Sequence, residues 1–373
     1  MNTEVIKIDE RAIDEATIKH AAQLIDEGGL VAFPTETVYG IACRATEQSL
    51  RKLDELKGIA SGRPYTLHIG KKADVRKYVP KPNLRAEKLI KNAWPGPLTI
   101  VFPVAQDELA ARKTELGIET VGCLYREEAI GIRCPDNQIA SILLQQTHYP
   151  IVVPSANKAG QPPAVTAQQV LDELSGQIEL LLDGGECKYK QNSTVVKIGS
   201  RGVEILREGA YPAAEVRQMA TVQVLFVCTG NTCRSPMAEG IFKKYLAEKL
   251  NCSVDELEAI GYKVISAGVL NMAGTSARDE AISACAAKGV DISAHRSRTV
   301  SKHLVEQSDF IFVMGQMHRE RVLALSPSAG DKCVLLAENQ EIPDPIGQPQ
   351  NVYDNCADLI ERAARKRLAE IFV

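Results

Sequence analysis

The chain lacks any Cys-x-x-Cys pair. Its ten cysteines are scattered over 373 residues, which argues against a disulfide framework and against a zinc finger. The six histidines show no His-x-x-x-His or comparable spacing, so no structural metal is expected. Charge excess is also missing. The net charge is −3, too small for a global basic field that recruits nucleic acid. No apolar run approaches the length of a membrane span. Met1-Asn2-Thr3-Glu4 lacks the basic-then-apolar order of an export signal, so the cysteines read as thiols of a cytoplasmic protein. Neither an internal repeat nor a low-complexity tract is found.

What remains is an ordinary composition, 45% hydrophobic and 24% charged, at a length that suits two domains. The most informative stretch runs from Val224 to Pro236. Val224 to Val227 is a short apolar run of the buried-strand kind. Gly230 and Asn231 tolerate the positive φ of a loop that folds back on itself. Ser235 is a good N-cap, and Pro236 suits a first helical position. Loop amides and a helix start then converge on one anion site, faced by Cys228 and Arg234. A sulfur nucleophile, an amide cradle and a guanidinium are what attack on phosphorus requires.

Cys-x5-Arg-Ser after a strand, with Asp344-Pro345 far downstream, resembles the low-molecular-weight protein tyrosine phosphatase family over residues 222–373. That resemblance implies a flavodoxin-like parallel sheet with helices on both faces, in agreement with the strand–helix alternation along this half. Strands are expected at 222–228, 264–268, 309–314 and 333–336. Helices are expected at about 235–250, 276–288, 316–325 and 354–371. The resemblance implies Cys228, Arg234 and Asp344 as catalytic residues, with Thr229, Gly230, Asn231, Thr232, Cys233 and Ser235 in the phosphate loop. Cys228 attacks as thiolate, the form that helix-terminal amides and Arg234 favour. Arg234 grips phosphoryl oxygens, Ser235 helps the sulfur leave, and Asp344 is general acid and then base. Taken alone, Asp-Pro is more readily a turn. Cys233 is placed to pair with Cys228 under oxidation. Thr232, and Ile346-Gly347 after Asp344-Pro345, depart from the tyrosine-specific pattern and resemble the protein-arginine phosphatases of the family. Phosphoarginine is therefore favoured over phosphotyrosine on phosphorylated protein substrates.

In the first half, helical periodicity over 11–28 ends at Gly28-Gly29. The strand that follows runs into Pro34-Thr35-Glu36-Thr37-Val38-Tyr39-Gly40, rich in hydroxyls. Lys57 closes a helix before a small-residue loop with Arg63. Thr66 to Ile69 is a strand carrying His68, and Trp94-Pro95-Gly96-Pro97-Leu98-Thr99 is a rigid turn into another strand. With Gly131-Ile132-Arg133-Cys134-Pro135, Ser155-Ala156-Asn157, Ser193-Thr194 and Arg207, these segments resemble the YrdC-like threonylcarbamoyl-adenylate synthases over about residues 1–210. The resemblance implies a twisted open α/β sheet over 1–212, a linker over 213–221, and an active site for ATP, L-threonine and bicarbonate, with Mg²⁺ on the polyphosphate. It assigns Lys57, Arg63, Ser155, Asn157 and Arg207 to ATP, and Thr35, Tyr39, His68, Arg133 and Ser193 to threonine. Threonine's amine captures bicarbonate, and the carbamate attacks the α-phosphorus of ATP. The product serves tRNA threonylcarbamoyladenosine formation, with a tRNA-modification transferase as partner. One position departs: the family's Lys-x-Arg reads Lys57-Gly58-Ile59 here, and isoleucine offers phosphate no donor fork. Two alternatives stay open. The first half is a nucleotide- or RNA-binding module without synthesis, or the second half is an arsenate reductase.

Overall fold

The structure, a computed structural model, describes residues 2–371 apart from Ser61, Arg63 and Ser200. The backbone divides between Ala220 and Thr221 into two compact units.

The first unit is built on one mixed sheet of ten strands. In chain order they are β1 (Glu4–Lys7), β2 (Val31–Pro34), β3 (Tyr39–Arg44), β4 (Leu67–His68), β5 (Leu98–Pro103), β6 (Ala129–Arg133), β7 (Ile151–Val152), β8 (Leu180–Asp183), β9 (Thr194–Gly199) and β10 (Gly202–Arg207). Across the sheet the order is β1-β8-β2-β3-β7-β4-β6-β5-β9-β10. β4, β6 and β7 end beside one another, which gathers His68 opposite Arg133 and Ile151. One core fills the side of β2 and β8 that faces the helices Glu15–Asp26 and Gln138–Gln146, through Ile18, Ile25, Phe33 and Leu143. A second core lies across the other face, around Leu53, Leu89, Trp94 and Phe102. The first helix starts where Asp14 accepts the Thr17 amide at 2.8 Å and ends before Gly28 at φ 88°. Residues 213–221, expected as a linker of partly helical pattern, hold a helix. Ala213–Ala220 buries Val216 and Ala220 in the second of these cores, and that apolar pair is why the segment folds onto the unit.

The second unit is a four-stranded, fully parallel sheet. Its strands are β11 (Val222–Cys228), β12 (Tyr262–Gly268), β13 (Phe310–Val313) and β14 (Cys333–Leu335), in the order β12-β11-β13-β14. All seven residues of β11 are buried, as expected of a central strand covered on both faces. Phe226 packs on Phe242 of the helix Arg234–Leu250 on one side of the sheet. Leu225 and Val227 join Val305 and Val322 on the other.

Several boundaries and one short helix differ from the sequence reading. The helix expected over 276–288 is Asp279–Ala286, the last helix begins at Gln350, and a short helix, Lys302–Gln307, was not anticipated. Ser301 starts that short helix by accepting the Leu304 amide, a local signal too brief for periodicity to show.

Candidate active sites

In the second unit the carboxyl end of β11 delivers Cys228 to a tight loop, the place where parallel sheets of this kind bind ligands. Asn231 sits at φ 55° and is fully buried. Its amide donates to Cys228 Sγ at 3.2 Å. Its side chain is saturated: Nδ2 donates to Ser235 Oγ at 2.9 Å and Ser266 Oγ at 2.8 Å, and Oδ1 accepts the Arg298 amide at 2.9 Å. Ser235 Oγ accepts from Asn231, and its own hydrogen faces Cys228 Sγ at 2.9 Å and the Ala267 carbonyl at 3.4 Å. This corrects the expected cap. The helix begins at Arg234 after Cys233, and Ser235 lies inside its first turn with the hydroxyl turned to the sulfur rather than to the helix's own amides. Pro236 still falls where no intrahelical N–H is required.

Arg234 is 6% exposed and fixed at three points. Nη1 donates to the Ile342 carbonyl at 3.1 Å, and Nη2 donates to Thr229 Oγ1 at 3.0 Å and to Asp344 Oδ2. Asp344 is over a third exposed, and its other oxygen accepts the Ile346 amide at 3.3 Å. The Asp-Pro turn and the carboxylate facing the cradle are thus the same residue. Thr229 Oγ1 also meets His318 Nε2 at 2.9 Å. Burial, then Arg234, press the His318 pKa down to about 4. Thr232 and Cys233 are buried. Cys233 Sγ lies 3.7 Å from Thr232 Oγ1 and 3.6 Å from the Tyr353 hydroxyl, and burial first of all pushes its thiol up. The loop has a backstop. A Cβ on Gly268 of β12 would lie 2.8 Å from the Thr229 carbonyl oxygen and 3.0 Å from the Asn231 nitrogen.

In the first unit a cavity of about 210 Å³ opens among β3, β4, β6 and the loops before β9 and after β7. Thr35, Tyr39, His68, Arg133, Ser155, Ser193 and Arg207, all singled out in the sequence, line it. Arg133 is buried and paired with Glu36 Oε1 at 2.8 Å and Thr37 Oγ1 at 2.8 Å. Burial, then Arg133, hold the His68 pKa down at about 3, so the imidazole is neutral. Arg207 donates to the Ser193 carbonyl at 2.8 Å and to Ser193 Oγ at 3.2 Å, which orients that hydroxyl, and Ser193 Oγ is 3.1 Å from Thr99 Oγ1.

Two residues expected on the nucleotide do not line this cavity. The Lys57 ammonium donates to the carbonyls of Ser155 and Asn157, both at 2.7 Å, and burial lowers its pKa to about 8. Asn157 Nδ2 donates to the carbonyls of Lys158 and Gln161, and its buried Oδ1 has no partner. Tyr39 lines the cavity, but its hydroxyl donates to the Gly185 carbonyl at 2.7 Å. Arg63 lies outside the described residues. Sequence reasoning passed over Glu36, Asn192, Tyr65 and His318 as site residues. Glu36 and Asn192 adjoin Thr35 and Ser193 in motifs already noted, whereas nothing local marks His318.

Residues 23–209 match the Sua5, YciO and YrdC family, described as telomere recombination, and residues 223–372 match the low molecular weight phosphotyrosine protein phosphatases. The threonylcarbamoyl-AMP synthase of Pyrococcus abyssi is 36% identical over 218 residues, 58% of this chain and 61% of that protein. That of Bacillus subtilis is 34% identical over 209 residues, 56% of this chain and 58% of that protein. The chain thus spans about three fifths of the length of each. A solved structure of a doubly substituted P. abyssi Sua5 aligns with a TM-score of 0.51 and 26% identity, covering 72% of this chain and 92% of that one. Among the described residues no helix is long and apolar enough to cross a membrane. With a nucleophile cradle at the end of one sheet and an arginine-lined cavity in the other, the chain belongs to the Sua5 and YrdC family through its first half and carries a low molecular weight phosphatase domain as its second.

Proposed function

We propose that the chain joins two enzymes: an L-threonylcarbamoyladenylate synthase and a cysteine-dependent protein phosphatase. The phosphatase reading is carried by one observation, the Cys228 sulfur held by the Asn231 amide and the Ser235 hydroxyl beside Arg234. The Asn231 amide donates to the sulfur, and the Ser235 hydroxyl lies against it. Cys228 attacks phosphorus, and the bond to the leaving group breaks as Asp344 gives that group a proton. Water then attacks the phosphocysteine, Asp344 takes its proton, and Ser235 donates to the departing sulfur. The ion pair with Arg234 holds the Asp344 carboxyl group beside the cradle, within reach of both steps.

Phosphoarginine is the favoured substrate. Thr232 is smaller than isoleucine and adds a hydroxyl near a leaving group rich in N–H, and Ile346-Gly347 provides no aromatic wall. Turnover of phosphoarginine and phosphotyrosine peptides by the wild type and Thr232→Ile tests this. A wild type that prefers phosphotyrosine, with no change on substitution, overturns it.

The synthase reading is supported by the convergence of Arg133, Arg207, Ser193 and a neutral His68 on one cavity. Its volume suits an amino acid such as threonine, with the nucleotide extending beyond it. No covalent intermediate is needed. These groups orient the carbamate formed from threonine and bicarbonate and offset charge at the α-phosphorus. The metal enters as MgATP, the form of the substrate. We further propose that the product passes to a tRNA-modifying transferase. Pyrophosphate release dependent on threonine and bicarbonate is the test. ATP or tRNA binding without release assigns the first half to a binding module instead.

A further inference from the structure

We propose that a second cavity, beside the helix Arg234–Leu250, is a regulatory site for a small organic anion with an apolar body, and that its occupancy tightens the phosphate loop through Asn231. The cavity holds about 720 Å³, and no residue of 228–235 lines it. Its wall is partly apolar. A Cβ on Gly240 would lie 2.7 Å from Val290 and from Ile292, so the helix and that segment already touch, and Val254 beside them is 45% exposed. Most charges on the wall are committed. Glu239 pairs with Lys243 at 2.5 Å, and Lys244 donates to the Lys288 carbonyl at 2.7 Å. Arg296 donates to the His295 carbonyl at 2.7 Å, and Asp291 accepts the Ser293 amide at 2.8 Å. The exposed Arg298 guanidinium, by contrast, has no hydrogen-bond or ion-pair partner among the described residues, and neither has the Asp255 carboxylate. An uncommitted cation next to apolar wall suits an amphipathic anion, and Asp255 disfavours a second anionic group.

The same wall backs the nucleophile loop. Asn231 gives its amide to Cys228 Sγ, and its other polar groups lead to the cavity or to Ser235. Its carbonyl meets His295 Nε2 at 2.8 Å, and a carbonyl only accepts, so that nitrogen carries hydrogen. Its Oδ1 accepts the Arg298 amide at 2.9 Å. Its Nδ2 reaches Glu239 through Ser266 Oγ, at 2.8 Å and then 2.6 Å. His295, Arg298 and Glu239 all line the cavity. Asn231 holds φ 55°, a sparsely populated conformation that persists because its neighbours over-determine it. A ligand on Arg298 steadies those neighbours, and with them the residue that aims an amide at the sulfur. An oxyanion in the loop then binds more tightly. The regulation rests on the phosphatase reading above, whereas the binding site does not.

The test uses the full chain, anilinonaphthalene sulfonate as an anionic probe, phenylnaphthylamine as its uncharged counterpart, and tungstate as a phosphoryl mimic. With tungstate saturating the loop, the sulfonate is expected to bind, and the uncharged probe about tenfold more weakly, the size of one charge-assisted hydrogen bond. Arg298→Gln should cost the sulfonate a similar factor and leave the uncharged probe unaffected. Val254→Trp, which fills the cavity with bulk, should weaken both. The sulfonate should tighten tungstate inhibition by about fivefold, and tungstate should tighten the sulfonate by the same factor. Competition between sulfonate and tungstate puts the probe in the loop and overturns the proposal. So does no binding, binding that neither substitution alters, or a tungstate affinity that ignores the sulfonate. Turnover that survives Cys228→Ser overturns the phosphatase reading instead, and leaves the probe titration standing.

Discussion

The two units each place an arginine and a buried neutral histidine at their site, yet they use them differently. In the first unit the charged groups are committed to protein. Arg133 holds Glu36, Lys57 holds two carbonyls, and Arg207 holds Ser193. In the second, polar contacts converge on one sulfur, and Arg234 shares its Nη2 between a hydroxyl and a carboxylate that is over a third exposed. On the proposed function, the difference follows from the task. A site that aligns separate small molecules needs a rigid wall, and that wall is kept by pairing its charges. A site that makes and breaks a bond to its own side chain needs donors left aimed at that atom.

The comparison breaks most sharply at Cys228. Cys228→Ser is expected to abolish phosphatase turnover and leave threonine-dependent pyrophosphate release unchanged, as measured by both assays on the intact chain. Loss of both activities would mean the sites are not independent. Asp344→Asn comes next. A general acid is typically worth about 10²–10⁴ in rate, and a substrate with a good leaving group should recover most of the first step. In the first unit the largest effect should appear in stability. Arg133→Met leaves the Glu36 carboxylate buried without its ion-pair partner and should cost about 3–5 kcal/mol, read by denaturant unfolding. Adding Glu36→Gln should return part of that loss. If Arg133→Met alone costs nothing, the wall is not held by this pair.

A further effect is a pH dependence. The folded pKa of His68 is lowered to about 3, against about 6.5 in a free chain. Between those values the unfolded chain binds a proton that the folded one does not. Stability is therefore fully present above pH ~6.5 and falls as pH drops, by about 1.4 kcal/mol per unit from this group. His68→Asn should flatten the corresponding part of the pH profile of unfolding. His318, lowered to about 4, adds the same sign in the second unit over a narrower window.

How much could be read in advance depended on how the site is strung along the chain. The cradle occupies consecutive residues 228–235, so strand pattern, loop glycine and arginine spacing described it without tertiary information. His318 contributes from β13's following helix, nearly ninety residues on, and ordinary helical sequence surrounds it. The cavity of the first unit draws on at least six separate segments, and the sequence named most of its wall. It did not reveal which polar groups are free. Lys57 was expected on a nucleotide, and only packing shows its ammonium latched to carbonyls. Ser235 reads locally as a helix cap, and the pull of the Cys228 sulfur and Asn231 decides otherwise. The join at 213–221 looked like a connector because a short amphipathic helix and a linker differ by few residues, and the burial of Val216 and Ala220 separates them.

Gly268 sets a limit on redesign. Even one methyl group there would press on the turn that carries the nucleophile, so the floor beneath the reacting phosphorus has no slack. Attempts to admit bulkier esters gain nothing from this neighbouring strand. They must work at the outer lip, where Met272 and Ile346 stand in solvent and can change size without moving the sulfur.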